Sequence, residues 1–337
     1  MSRVKAAVLR GPRALMIEET VEAEPGPGDV LVRVSRAGLC GTDYRIWTGD
    51  RPVAYPRVPG HEFVGRVERI GSGVTRVRVG DRVAVEPNYS CGACALCQEG
   101  NRNLCLARTA VGIDVDGGFA EVARLPERCC WPLAVDIEDD ELVLAEPLAV
   151  VVRAVKRAAP RAGETAAVVG VGTLGLLALQ VLGLRGVRAM VTGRTTRRFG
   201  LARELGAEET CAVGGGSLDD VAQRFSGREG VDLVVETAGT AQAVSDALAL
   251  VRPGGRVVLT GLPHEPTSVA FFSIVRREVT ILGSMIYQDE FREALRLLES
   301  HSVQVRPLLT HQFSLQDIEA AFVAHRDPAS IKVAVVV

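Results

Sequence analysis

Lysine is almost missing. Of 39 basic residues in this 337-residue chain, only Lys5, Lys156 and Lys332 are lysines. Aromatic residues make up 4%, too few to furnish a base-stacking surface. The net charge of −2 leaves no excess of either sign, which argues against a nucleic-acid or anionic-membrane partner. Internal repeats and low-complexity stretches are absent. The first residues carry no apolar run of signal-peptide type, so a cytoplasmic protein is expected. What remains is an ordinary globular balance, 47% hydrophobic and 24% charged, with a length suited to about two domains. A chain this long buries enough core to stand without disulfides.

One apolar run invites a different reading. Residues 166–184 are long enough to cross a bilayer, yet they contain Gly170, Gly172, Gly175 and Gly183. A buried strand turning into a buried helix has the same mean hydropathy and explains the glycine spacing, so no membrane segment is expected.

Short strands at 4–9, 30–34, 63–70 and 82–85, separated by Gly/Pro turns, predict a mostly β, barrel-like start. From about 164 the pattern alternates. Strands at 166–169, 189–192, 233–236, 257–260 and 279–282 are interleaved with helices at 174–184, 197–205, 218–225 and 241–250. That rhythm predicts an α/β fold with a parallel, doubly wound sheet. Helices at 290–300 and 315–325 and a strand at 332–336 close the chain. The expected organisation is a nucleotide domain, 151–284, inserted into a β-rich domain built from 1–150 and 285–337.

Gly170-Val171-Gly172-Thr173-Leu174-Gly175 is a G-x-G-x-x-G sequence between an apolar strand and an apolar helix, the context that makes it a dinucleotide fingerprint. Gly170 permits the tight turn, Gly172 the close approach of a pyrophosphate, and Gly175 the packing of helix on strand, while Thr173 and Leu174 open the helix whose N-terminus receives the phosphates. A carboxylate that would bind a ribose 2′-hydroxyl should end the next strand. Gly193, Arg194 and Thr195 stand there instead, followed by Arg197 and Arg198. A missing carboxylate removes repulsion toward a 2′-phosphate, and an arginine fork pairs with one. NADP is therefore the expected cofactor, with NAD the alternative if these arginines are merely solvated.

Eight cysteines invite a disulfide reading, but clustered cysteines in a reducing compartment bind metal more often. Cys91, Cys94, Cys97 and Cys105 place four thiols within fifteen residues between glycines, the spacing of a closed structural zinc site. A second set is scattered: Cys40 in Cys40-Gly41-Thr42-Asp43, His61-Glu62 after Gly60, and Glu146 in Glu146-Pro147-Leu148. Three protein ligands with one open position suit a catalytic zinc. Taken singly, each of these residues reads more readily as structural than as a ligand.

In their order and spacing, Cys40-Gly41-Thr42-Asp43, Gly60-His61-Glu62, the four-cysteine loop and Gly170–Gly175 resemble the zinc-dependent medium-chain dehydrogenase/reductase family over essentially the whole chain. Glu146-Pro147-Leu148 resembles its polyol, sorbitol-like branch. The resemblance implies a GroES-like catalytic domain, a Rossmann cofactor domain, two zinc ions per chain, and reversible oxidation of a secondary alcohol or polyol to a ketone with NADP or NAD. It implies that Cys40 and His61 ligate the catalytic zinc and that Glu146 and Glu62 compete for the acidic position. It further implies that Asp43 orients His61, that Thr42 takes the proton of the substrate hydroxyl, and that Lys332 lies near the cofactor phosphates or Glu62. A homodimer or homotetramer is implied as well. Arg45 departs from the pattern: many relatives carry a proton-relaying histidine there, and an arginine cannot serve as a base.

Two other readings compete. A zinc-independent quinone or enone reductase of the same superfamily should lack the Cys40, His61 and Glu146 set. A non-catalytic cofactor-binding protein has no need of it. Cys129, Cys130 and Cys211 read as core packing. Tyr44 and Trp47 read equally as pocket walls or as packing, His264, His301 and His325 show no partner pattern, and His311, where relatives often carry a histidine, reads as structural.

Overall fold

Val30, Leu31, Val32 and Val34 are buried along the strand Asp29–Leu39. The β-branched side chains of Val30, Val32 and Val34 favour an extended backbone. This strand is the axis of the first of two units in the computed structural model, which describes residues 3–22, 24–133, 135–263 and 266–337. His264 lies outside the described residues. Unit one comprises Met1–Glu146, Leu298–Ser300 and Leu308–Val337; unit two comprises Pro147–Leu297 and His301–Pro307.

In unit one a seven-stranded sheet runs in the order Leu309–Ser314, Lys332–Val336, Asp29–Leu39, Glu62–Ile70, Arg82–Val85, Cys130–Pro132, with Val122–Pro126 paired to Asp29–Leu39 off this path. A hairpin of Arg3–Leu9 and Leu15–Val21 stands beside it. Its core gathers Leu9, Leu39, Ile46, Phe63, Phe119 and Phe322. The C-terminal strand pairs antiparallel with Asp29–Leu39, so the chain's end completes the sheet begun at its start.

Unit two holds a six-stranded sheet, parallel throughout, in the order Ala207–Ala212, Arg188–Gly193, Thr165–Val169, Val231–Glu236, Val251–Leu259, Thr280–Gly283. That is the doubly wound order in which ligands bind at the C-terminal ends of the central strands, where the winding reverses. The apolar run resolves into the strand Thr165–Val169 and the helix Thr173–Leu184, and among the described residues no helix is long and apolar enough to cross a membrane. Six strands have no counterpart in the sequence reading: Leu15–Val21, Asn88–Tyr89, Thr109–Ala110, Val122–Pro126, Ala207–Ala212 and Leu309–Ser314. Asn88–Tyr89 and Thr109–Ala110 are too short to show a period, and Ala207–Ala212 is an edge strand whose exposed residues are glutamates, so it lacks the apolar signature of a buried strand.

Asp232 ties three strands of unit two together. Its carboxylate accepts from Thr165 N at 2.8 Å and Thr165 Oγ1 at 3.0 Å, and from Arg252 Nε at 2.9 Å. Burial alone would raise its pKa; these donors outweigh it and hold the carboxyl below its ordinary value. A carboxyl whose pKa is lower folded than unfolded stabilises the fold above the unfolded value and loses that contribution as pH falls. Asp232→Ala should therefore lower the unfolding free energy at neutral pH by about 2–4 kcal/mol, because it strands buried donors. In urea melts the gap from the parent should narrow on acidification.

Candidate functional site

Cys40 follows directly on the strand Asp29–Leu39 and caps the helix Gly41–Thr48, with extended backbone angles of φ −103° and ψ 158°. His61 immediately precedes the strand Glu62–Ile70. The residue before it, Gly60, has φ +96°, and a Cβ there would fall 2.9 Å from the backbone of Phe119, so only glycine serves. Across neighbouring strands, a sulfur of Cys40, a ring nitrogen of His61 and a carboxylate oxygen of Glu62 all lie within 4.8 Å of one another. One thiolate, one imidazole and one carboxylate form a donor set suited to zinc.

Asp43 holds this arrangement. It is fully buried, and its Oδ2 accepts from Cys40 N at 3.0 Å while Oδ1 accepts from Gly60 N at 3.2 Å and faces His61 Nδ1 at 3.1 Å. One carboxylate thus fastens the Cys40 loop to the His61 loop. It also directs His61 Nδ1 inward, leaving Nε2 as the ring nitrogen for a metal. Burial alone would raise the carboxyl's pKa; the His61 charge and hydrogen bond and the two backbone donors outweigh it and keep Asp43 below its ordinary value. The converse applies to His61: burial would lower its pKa, and Asp43 carries it well above the ordinary imidazole value.

Glu146 is buried in the first turn of the helix Ala145–Ala158 but is not part of the converging set of three. It lies close enough for its charge to act on Lys332. Lys332, itself buried, forms an ion pair with Glu62 and donates to Leu39 O at 3.3 Å. Thr42 is half-buried on the first turn of the Gly41–Thr48 helix, between Cys40 and Asp43, and Arg45 is half-buried toward its end. Trp47, 4% exposed, packs against Phe322 with ring centroids 5.4 Å apart and under the Arg13 guanidinium, which decides for packing over a pocket wall. Tyr44 lies against Trp47 and His325.

In the cysteine lobe, four of the sulfur separations among Cys91, Cys94, Cys97 and Cys105 are 3.5, 3.5, 3.9 and 4.0 Å. Four sulfurs about 2.3 Å from a central zinc stand at tetrahedral edges of about 3.8 Å. All eight cysteines are free, which disposes of the disulfide reading. Backbone N–H groups of Cys91 and Cys94 point at Cys105 Sγ and Cys91 Sγ, each at 3.4 Å. The backbone donors of Ala93 and Cys94, joined by the Cys105 thiol, pull the Cys91 thiol down to about 6. The Cys91 and Cys94 thiols are thus drawn toward the thiolate, the form that binds metal, whereas burial pushes the Cys97 thiol up to about 11.

In unit two the Gly170 loop leaves the strand Thr165–Val169 with φ +116° at Gly170. A Cβ on Gly175 would strike the Gly170 carbonyl, whereas Gly172, which caps the helix Thr173–Leu184, has open space on its side-chain face. Thr173 and Leu174 are half-buried at that helix start, whose first turn carries no acidic side chain and no side-chain cap. An anionic group fits there. Gly193 ends the strand Arg188–Gly193, and a Cβ on it would run into Val171, so the strand end abuts the glycine loop itself. Arg198 donates to Val171 O at 3.2 Å and braces the loop from below. Thr195 is half-buried; Arg194 and Arg197 are exposed.

Cys129, Cys130 and Cys211 are buried, with thiol pKa values raised by burial, consistent with packing. Sequence reasoning missed Gly38 and Thr237. Gly38 lies in mid-strand opposite Glu62, and an isolated strand glycine was the available signal for a close approach. Thr237 Oγ1 donates to Val169 O and packs against Gly170.

Comparison with known proteins agrees with this geometry. Residues 26–135 match the family model described as alcohol dehydrogenase GroES-like domain, and residues 173–300 match that of the zinc-binding dehydrogenases. An L-threonine 3-dehydrogenase of Streptomyces avermitilis is 36% identical over 316 residues, which cover 91% of this chain and 92% of that one. A putative zinc-binding dehydrogenase from Sinorhizobium meliloti, solved with NADP, superposes with a TM-score of 0.94 at 33% identity, covering 100% of both chains. An alcohol dehydrogenase (rspB) from Escherichia coli CFT073, solved with NADH, gives 0.94 at 31% identity over 100% of both chains.

Proposed function

The chain belongs to the zinc-dependent medium-chain alcohol dehydrogenase family, an oxidoreductase family that binds zinc and NAD(P), and on that footing we propose that it reversibly oxidises a secondary alcohol or polyol to a ketone, with NADP as the preferred cofactor. The observation that carries the reading is the convergence of Cys40, His61 and Glu62 within 4.8 Å, fastened by a single buried aspartate. The same convergence argues against a zinc-independent enone reductase, which has no use for it.

Zinc held by Cys40, His61 and an acidic residue supplies Lewis acidity toward the alcohol oxygen, and the nicotinamide supplies the hydride acceptor. The chain's residues do the rest. Asp43 keeps the His61 ring in one tautomer and one orientation. The Thr42 hydroxyl takes the proton of the substrate hydroxyl. The arginine at position 45 offers no base to hand that proton on, so its exit is left to water or the cofactor ribose. Glu146 and Glu62 share the acidic position. The four cysteines hold the second zinc, with a structural role. The zinc-bearing part is assigned to 1–150 and 285–337 and the cofactor-bearing part to 151–284.

NADP preference is supported by Gly193, where a carboxylate would otherwise repel a 2′-phosphate, and by the exposed Arg194 beside it. Steady-state kinetics with both cofactors should give the higher kcat/KM for NADP. Arg194→Ala should cut the NADP value by about 10- to 100-fold, the worth of one charge-assisted hydrogen bond, and leave the NAD value alone. A higher kcat/KM with NAD overturns the preference. For the substrate, Glu146 supports a polyol and the similarity to an L-threonine dehydrogenase supports an amino alcohol. A panel of polyols, sugars, amino alcohols and simple secondary alcohols, read by NADPH formation, decides between them.

A further inference from the structure

The turn that ends the helix Gly41–Thr48 brings an arginine back along it. Gly49 adopts φ +87° and reverses the chain, so that Arg51 N donates to Arg45 O at 3.0 Å. Arg45 stands only about 6 Å along the helix axis from the helix start beside Cys40. From there the chain lines a cleft of about 390 Å³ with Arg51, Pro52, Val53 and Ala54, and a second segment lines it with Ile113 and Asp114. That second segment is fastened to the His61 loop. Gly118 N donates to Gly60 O at 2.8 Å, and a Cβ on Gly112 would fall 3.0 Å from His61 N. The cleft is thus built, within unit one, from chain that also holds Cys40 and His61.

Pro52, Val53, Ala54 and Ile113 make most of its lining apolar, and Val53 and Ile113 pack on the core of unit one. Arg51 is half-buried among them, and among the described residues its guanidinium has no hydrogen-bond or ion-pair partner. Elsewhere in unit one Arg33, Arg36, Arg57 and Arg82 are each paired with a carboxylate. Asp114 does not serve Arg51: one of its oxygens accepts from Ala110 N at 2.8 Å, and the side chain is exposed.

We propose that Arg51 receives a carboxylate of the substrate, so that the alcohol oxidised at the Cys40–His61 site is a hydroxy acid. This rests on the dehydrogenase reading above and names its substrate class. A guanidinium fork matches a carboxylate with two parallel hydrogen bonds. Apolar walls lower the local dielectric and strengthen that pairing. One guanidinium balances one charge; a phosphate dianion would keep a second charge unmatched, with the Asp114 carboxylate in the same cleft. In the reaction a secondary hydroxyl of the acid becomes a ketone, its hydride passing to the nicotinamide and its proton to Thr42, and the carboxylate is unchanged.

The test uses ligands that grip the metal without turnover. Straight-chain dicarboxylic monohydroxamates of graded length, and the methyl ester of each, are titrated calorimetrically into the zinc-loaded full chain. At the best length the acid should bind about tenfold or more tighter than its ester, the scale of one charge-assisted hydrogen bond. Added salt should shrink that advantage. Arg51→Gln, which strands no partner in the fold, should remove it, and Arg51→Lys, which keeps the charge and loses the fork, should keep part of it. Equal binding of acid and ester at every length, or an advantage that survives Arg51→Gln, overturns the proposal and leaves the metal site standing. A phosphonate-ended hydroxamate that binds tighter than the acid overturns the choice of a carboxylate. Failure of acids and esters alike to bind overturns the metal-site reading and this inference with it.

Discussion

His61→Ala should abolish alcohol oxidation, with kcat/KM falling by at least about 10⁴-fold, the scale on which removal of a central catalytic group is felt. Two losses combine. One donor of the converging set disappears, and Asp43 is left with a buried charge whose partner is gone. Metal content should fall by one zinc per chain while the four-cysteine zinc stays. NADPH binding, followed by nucleotide fluorescence, should persist, because the Gly170 loop belongs to the other unit. Cys40→Ala should behave the same way. Asp43→Asn should be milder, about 10- to 100-fold in metal affinity or activity, since it alters the group that aims a ligand and spares the ligand itself. Retained turnover in His61→Ala or Cys40→Ala refutes the assignment.

The second large effect is on stability. Cys97→Ser or Cys105→Ser should remove the other zinc and unfold the lobe around it. These two sulfurs are buried, whereas Cys91 is exposed. Between Cys91 and Cys105 the chain has only the single turn Ala95–Gln98 and the short segment Arg102–Leu104 as regular structure. A segment with so little core of its own draws its order from the metal. Structural zinc is worth about 10–16 kcal/mol to isolated zinc-finger peptides, and a lobe anchored in a larger sheet should lose some smaller part of that. The expected readings are a lower thermal midpoint, one zinc fewer per chain, and new proteolytic cleavage between 91 and 105. A variant that melts like the parent and resists protease there would show that the lobe folds without metal. Because protons compete with zinc for the thiolates and a chelator competes with the thiolates for zinc, acidification and chelation should each reproduce the same loss in the parent.

Much of this was legible before any coordinates. The glycine fingerprint announced itself because Gly170 needs a positive φ and Gly175 a bare Cα against the Gly170 carbonyl, and only glycine meets either demand. The four cysteines were legible because all four ligands sit in one short stretch. The catalytic set was harder. Cys40, His61 and Glu62 come from two strands of a sheet, and nothing in their local patterns states that those strands are neighbours. The resemblance to a known family bridged that gap. Strand Ala207–Ala212 escaped because an edge position requires little apolar surface.

The sequence alone therefore determined the local pattern: a glycine turn of the dinucleotide type between strand and helix, four thiols within one short stretch, and no carboxylate where one would bind a ribose. Sequence order also carried the interrupted arrangement of β-rich and nucleotide-binding segments. Only the tertiary structure decided which groups share a charge. It placed Asp43 between the Cys40 and His61 loops, left Glu146 outside the converging three, and laid Glu62 across Gly38 to Lys332. The physical reason is the range of the interactions. A backbone dihedral or a tight loop is settled within a few residues, whereas a buried ion pair joins residues far apart in sequence and exists only once the sheet has set their register.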